Sequence, residues 1–262
     1  MHGVWFAGLI FIGGMDRAVA ADVPTAQHLR DTPQGRTWDS IKRLPDWSGV
    51  WVLSEESFGE VVSTISAGGR IRAPLTARYQ ALLDANADKL ASNETKCIPV
   101  GIPESMAIPI GHEYLFTPGR VTAVFENGIV RHIDTSGRAH PADLDLTYTF
   151  AGNSVGHWEG RSLVVDTIGI TSQAEFLIGL RVTDRTHLTE RIFRKDSDTL
   201  QIDAVLQDPE IFTKPYEYTR IYKRSNVPML EYYPCVEGAR DTMVNGVQSG
   251  VDLTPPLQAS KP

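Results

Sequence analysis

The sequence predicts a mainly β protein: one antiparallel barrel, closed or nearly closed, with a helical insertion after its first strand. Three observations carry this. Asp46-Trp47-Ser48-Gly49-Val50-Trp51-Val52-Leu53 opens the ordered chain with a Gly-x-Trp at a strand start. Asn127-Gly128 sits between two β-rich runs, the strongest short hairpin signal in the chain. From Glu113 onward, short strands follow each other with turn residues between them and no long helix to separate them, which excludes parallel α/β architectures.

Element by element, residues 21–45 are polar and interrupted by Pro24, Pro33, Gly35 and Pro45, and read as an N-terminal arm. Gly49–Leu53 is the first strand. An insertion follows in which Leu75, Tyr79, Leu82 and Leu83 recur at helical spacing, with Thr76 as a cap; the helix is expected near residues 75–92. Pro99, Pro103 and Pro109 end regular structure there. Strands are then expected over 114–117, 120–125, 129–134, 144–150, 154–158, 162–167, 186–194, 200–207 and 216–224. The domain is expected to span residues 46–237, with 238–262 a tail.

The chain has 262 residues, 42% hydrophobic and 22% charged, with a net charge of −7. Mild acidity offers no electrostatic attraction for nucleic acid or an anionic membrane, so neither is expected as a partner. Val4–Met15 is apolar and Ala18-Val19-Ala20 precedes Ala21, the pattern of an export signal cleaved after residue 20. The apolar run is too short to span a bilayer. The expected compartment is therefore periplasmic or extracellular, where the two cysteines, Cys97 and Cys235, would form a disulfide.

Side chains two apart in a strand share a face. His157 and Glu159 therefore point the same way, and so do His132 and Asp134. A histidine beside a carboxylate can act as a general base held in one tautomer, or as an exposed polar pair on a solvated sheet face. Tyr216, Tyr218, Arg220, Tyr222 and Arg224 occupy one face of the last strand. A lumen lined by phenols and a guanidinium suits a ligand with an oxygen function, although tyrosine rows also stabilise strands by cross-strand pairing. Trp51 lines the same lumen or plugs its floor. Two metal sets can be drawn, His132-x-Asp134 with His187 and His157-x-Glu159 with His140. Neither has dedicated ligand spacing, and no metal or cofactor is expected. Gly152-Asn153-Ser154-Val155-Gly156 matches a nucleophile elbow in letters only, since a hairpin follows it rather than a helix. Asn93-Glu94-Thr95 is a glycosylation sequon.

The pieces Gly156-His157-Trp158-Glu159-Gly160, Leu163-Val164-Val165-Asp166-Thr167, Thr189-Glu190-Arg191-Ile192 and Thr219-Arg220-Ile221-Tyr222-Lys223-Arg224 resemble a mostly uncharacterised family of exported proteins of soil bacteria. That resemblance implies export and no particular activity. Gly49, Trp51 and a basic residue on the last strand resemble the lipocalins, in which such an arginine packs over the tryptophan. Arg220 and Arg224 are the candidates here, and the long segment between Leu53 and Glu113 departs from that pattern. The resemblance implies a closed barrel around an apolar small molecule.

Three functions compete. The first, toward which the several histidines and acids of the β region tilt the reading, is a cofactor-independent acid–base enzyme of isomerase, cyclase, lyase or hydratase type, with His157 as base or acid, Glu159 or Asp134 orienting it, His132 nearby, and Tyr218 and Arg220 stabilising a substrate oxygen. The second is a non-catalytic carrier or sensor of an apolar small molecule, and the third a structural envelope protein with a fully packed barrel.

Overall fold

The computed structural model describes residues 35–66, 73–86, 93, 98–142, 148–177, 179–229, 241–244 and 247–251. The expected export signal and both cysteines lie outside the described residues. Nine strands form a closed barrel: β1 (Trp51–Leu53), β2 (His112–Thr117), β3 (Arg120–Phe125), β4 (Val130–Asp134), β5 (Asn153–Glu159), β6 (Ser162–Ile168), β9 (His187–Arg194), β10 (Thr199–Gln207) and β11 (Tyr216–Arg224). The order around it is β1-β11-β10-β9-β6-β5-β4-β3-β2. β7 (Glu175–Leu177) and β8 (Leu180–Arg181) form a hairpin outside the barrel, and β12 (Asp241–Val244) pairs with β13 (Val247–Val251).

Nine is an odd number, so strand direction cannot alternate all the way round. The mismatch falls between β4 and β5, which run parallel through Ile133↔Ser154 and Asp134↔Val155. A parallel neighbour requires the chain to return to the starting end, and residues 135–152 make that return. The expected strand at 144–150 falls on this segment. Residues 143–147 lie outside the described residues, and Thr149 makes a single bridge to Ile170.

Alternation sets the core. Leu163 and Val165 on β6, Leu188 and Ile192 on β9, and Leu200 and Ile202 on β10 are completely buried, while Val164, Thr189, Arg191 and Gln201 between them face outward. One end of the barrel is closed by tryptophans. Trp47 packs against Tyr114, Phe116 and Trp158 with ring centroids 5.2–5.5 Å apart. Its carbonyl accepts the Trp51 indole N–H at 2.9 Å. The Arg224 guanidinium lies 4.5 Å from the Trp51 ring centroid and bonds the Ser48 and Ser197 carbonyls. Of the two candidate arginines, Arg224 is thus the one that covers the tryptophan. Gly49 makes this possible: its φ is +92°, and a Cβ there would sit 2.6 Å from the arginine Nη1.

Two helices follow β1. α1 (Trp38–Ile41) precedes it, with a Thr37–Ser40 capping box. α2 (Glu55–Ser66) begins straight after the strand, and α3 (Ala77–Asn86) occupies the middle of the region expected to be helical. The Thr76 hydroxyl accepts from Tyr79 N at 3.4 Å, as a cap does. α2 was not expected. Its start is marked by Ser54, whose hydroxyl accepts from Ser57 N at 3.2 Å, and by Glu55 and Glu56 in a first turn that favours negative charge.

β1 is three residues long and β11 is nine, so they pair only through Trp51↔Arg224, Val52↔Lys223 and Leu53↔Tyr222. Beyond that, Ser54 N donates to the Ile221 carbonyl at 2.8 Å and the Ser57 hydroxyl accepts from Ile221 N at 2.9 Å. The start of α2 thus replaces the missing ladder for one residue. From Tyr216 to Arg220, β11 has β10 on one side and, among the described residues, no strand on the other.

His112 on β2 is enclosed by aromatic rings, stacked on Phe125 at 5.0 Å and edge-on to Tyr114 and Tyr222. Its Nε2 is buried without a hydrogen-bond partner. Burial holds its pKa down from 6.5 to about 3, so the folded protein keeps the ring neutral. The unfolded chain takes up a proton below pH 6.5, and stability therefore falls as pH drops from 6.5 toward 3. His112→Phe should remove a slope of roughly 1.4 kcal/mol per pH unit from urea-unfolding stabilities measured between about pH 6.5 and 4.5. An unchanged slope in the variant would show that His112 is not the group that titrates.

Candidate functional site

The barrel interior contains an ion pair. On β4, Arg131 shares the inward parity of Ile133; on β9, Glu190 shares that of Leu188 and Ile192. Their side chains are 2% and 0% exposed and meet in a bidentate contact. Arg131 also donates from Nε to the Ser154 hydroxyl at 3.1 Å and from Nη2 to the Thr167 hydroxyl at 2.7 Å, and its Nη1 lies 3.7 Å from the Met106 sulfur. Burial works against the charged guanidinium. The facing Glu190 carboxylate more than offsets it, and the Arg131 pKa is raised.

Above this pair the lumen is capped. Residues 104–106 form a 3-10 turn, entirely buried, and the Tyr222 hydroxyl donates to the Met106 carbonyl at 2.6 Å. The β7–β8 hairpin adds Phe176 and Leu177. Under this cap, only about 10 Å³ remains between Ala107, Phe176, Leu206, Tyr218 and Arg220. This part of the barrel, directly under the cap, is closely packed.

Open space is found along the outer face of β6, β9, β10 and β11, where a shallow hollow of about 600 Å³ lies over Val164, Arg191, Asp203 and Thr219, and at the mouth, along the stretch of β11 beyond β1. A cleft of about 480 Å³ is bounded by Val61, Leu177, Lys214, Tyr216, Tyr218 and Arg220. Phe176, Phe212, Tyr216 and Tyr218 form a continuous run of ring contacts with centroids 5.3–5.6 Å apart, and Arg220 sits 4.6 Å from the Tyr218 ring centroid. The Tyr218 hydroxyl and the Arg220 Nε are buried with no hydrogen-bond partner among the described residues. Burial pushes the Tyr218 phenol up, so it stays a protonated donor.

No protein-family model matches this chain, and no curated protein is significantly similar to it. Function must therefore be argued from these residues.

The structure gathers the expected binding residues. Tyr216, Tyr218, Arg220 and Tyr222 all point inward, the first three at the mouth, while Trp51 is fully buried at the tryptophan-plugged end. It separates them from the expected acid–base residues. His157 is 66% exposed on the outer face, its Nε2 3.1 Å from Glu159, which also accepts from Arg191 at 2.7 Å. His132 is outward too, against the Thr122 hydroxyl at 3.1 Å, and Asp134 binds Ser136 and Arg138. The expectation that His157 faces a cavity with these groups is corrected. Trp158 takes the inward position to pack on Trp47 and Phe116, which forces 157 and 159 outward; buried Ile133 does the same to 132 and 134.

The two drawn metal sets are not assembled either. Instead His140 and His187 both bond the Asp166 carboxylate on the outer face of β6, with His140 Nδ1 also 2.7 Å from Asn153 Oδ1. This ties the returning segment 135–142 to the sheet. Among the described residues, no group of three or more His, Cys, Asp or Glu is arranged to hold a metal ion. Ser154 is buried mid-strand with Arg131 and Thr167, which is no setting for a nucleophile. Asn93 is 2% exposed, its amide donating to the Pro99 and Gln173 carbonyls, so in the folded chain the sequon is closed to a glycan.

Sequence reasoning missed Arg131, Glu190 and His112. The signal was present: Ile129-x-Arg131-x-Ile133 and Leu188-x-Glu190-x-Ile192 each place a charge within an otherwise apolar face, so two opposite charges must meet inside.

Removing one member of a buried pair strands the other. Arg131→Met should destabilise the protein by about 3–5 kcal/mol in urea unfolding, while Arg131→Met with Glu190→Leu should recover most of that loss. Single-variant effects below about 1 kcal/mol would mean that water reaches the pair.

Proposed function

We propose that this chain is an exported barrel that binds a small, largely apolar molecule at its mouth and acts as a carrier or sensor. The observation that carries this reading is the pair of buried, unpartnered polar atoms, Tyr218 Oη and Arg220 Nε, in residues that line a 480 Å³ cleft. Buried donors are almost always satisfied, and convergent unsatisfied ones beside a ligand-sized space are what a binding site presents before its ligand arrives. The aromatic run from Phe176 to Tyr218 supplies the apolar wall.

Proton-transfer catalysis ranks below binding. Glu190 is held by Arg131 and His112 is a sealed, neutral ring, so neither carries a proton to a ligand at the mouth. His157 lies across the wall from the cleft. Export is supported by the apolar Val4–Met15 run and the Ala18-Val19-Ala20 site. N-terminal sequencing of protein recovered from the extracytoplasmic fraction should begin at Ala21; a product starting at Met1 in the cytoplasm would contradict it.

For binding, the neutral fluorophore N-phenylnaphthylamine should bind saturably at one site. Tyr216→Ala should weaken it by about fivefold or more through loss of ring contact, and His157→Gln should leave it unchanged. Absence of saturable binding, or binding that responds to His157 and not Tyr216, would overturn the assignment.

A further inference from the structure

We propose that the ligand of the mouth cleft carries a single anionic oxygen group, of carboxylate type, and that Arg220 is the residue that selects it. This rests on the binding reading above and adds the chemical class. Arg220 is 8% exposed, and an arginine brings five N–H donors that stay charged. Among the described residues it makes one hydrogen bond, from Nη1 to the Thr219 carbonyl at 3.3 Å, and no ion pair. Its guanidinium also lies over the Tyr218 ring, 4.6 Å from the centroid.

Arg131, in the same barrel, shows what a buried arginine requires when the protein alone satisfies it: a bidentate carboxylate and two hydroxyls. Arg220 has neither, and it borders the cleft. A cation left with a π face and one long hydrogen bond is favourable only if an anion arrives from outside, where a planar carboxylate fits the guanidinium edge. The Tyr218 hydroxyl, a second unpartnered donor on the same inward face of β11, suits the same oxygen pair.

The rim limits the charge. Lys214 lines the cleft, and so do the carboxylate-bearing Glu60 and Glu217. A second or third negative charge on the ligand would meet these acids, whereas one charge placed inward at Arg220 would not. The rest of the ligand lies against Tyr216 and Leu177, so its body is flat or aliphatic and uncharged. A fatty or aromatic monocarboxylic acid has this form, and a nucleotide or polyphosphate does not.

The test compares two fluorophores with one skeleton, anilinonaphthalene sulfonate and neutral N-phenylnaphthylamine, titrated into the folded full-length mature protein. Wild type should bind the sulfonate about tenfold or more tightly than the neutral probe. Arg220→Gln should abolish that preference while retaining neutral-probe binding, and naphthoate should displace the sulfonate. Should Arg220→Gln fail to fold, Tyr218→Phe, which keeps the ring under Arg220, should reduce sulfonate affinity severalfold and leave the neutral probe unaffected. Equal affinities in wild type, or a preference that survives either substitution, would overturn the anion assignment while leaving the mouth site standing. Binding of neither probe would remove the site itself.

Discussion

The three-residue first strand constrains everything at the mouth. A barrel closes only where its first and last strands meet, and here they meet for three residue pairs at the tryptophan-plugged end. β11 continues for five more residues without, among the described residues, a partner strand on that side. Ser54 and Ser57 satisfy Ile221, and α2 departs from there. A longer β1 would seal the wall and leave no cleft. The helix that interrupts the strand is therefore also what opens the cleft. Strand parity imposes a second consequence, since nine strands force one parallel joint and a long return segment, whose His140 is held by the Asp166 carboxylate that also binds His187 of β9.

Two arginines on the inner wall illustrate opposite uses of one side chain. Arg131 is surrounded by Glu190, Ser154 and Thr167 and organises four strands, β4, β5, β6 and β9, around a single charge. Such a pair adds little net stability over apolar residues of the same volume, because desolvation cancels much of the attraction. Its effect is to fix which side chains face inward. Arg220 is similarly buried yet lacks an ionic partner within the described chain, so its desolvation is offset only by Tyr218 and one carbonyl. Satisfied charge marks the structural layer of the barrel, and Arg220 is the basis of the proposed recognition layer.

Most of the fold was legible in the sequence, for a physical reason. Nine of the expected strands coincide with barrel strands to within about two residues, since period-two alternation and turn pairs such as Asn127-Gly128 are local signals. α2 was overlooked although Phe58, Val61, Val62 and Ile65 recur at helical spacing behind the Ser54 cap, because Gly59 and the β-branched residues give the segment a low helix propensity. Faces were harder than strands. Alternation shows that His157 and Glu159 share a side, but which side is inward depends on where Trp158 finds partners, and Trp47 and Phe116 come from distant segments. On β11 the sequence left the faces open, since Tyr216, Tyr218 and Arg220 on one side and Glu217, Thr219 and Ile221 on the other form no plain apolar row; the structure turns the first set inward. Glu190 and Arg131 were overlooked because a charge within an apolar row signals a buried pair only when its partner row is read with it.

The central claim is that ligand recognition occurs at the unpaired stretch of β11, inside the mouth, and not at the histidines of the outer face. Amide chemical-shift mapping of the isotope-labelled protein during a naphthoate titration tests it most directly. The account predicts the largest shifts at Tyr216–Arg220, Leu177 and Ala107, with saturation. Shifts centred on His157, His140 or Asp166, with the β11 amides unmoved, would contradict it.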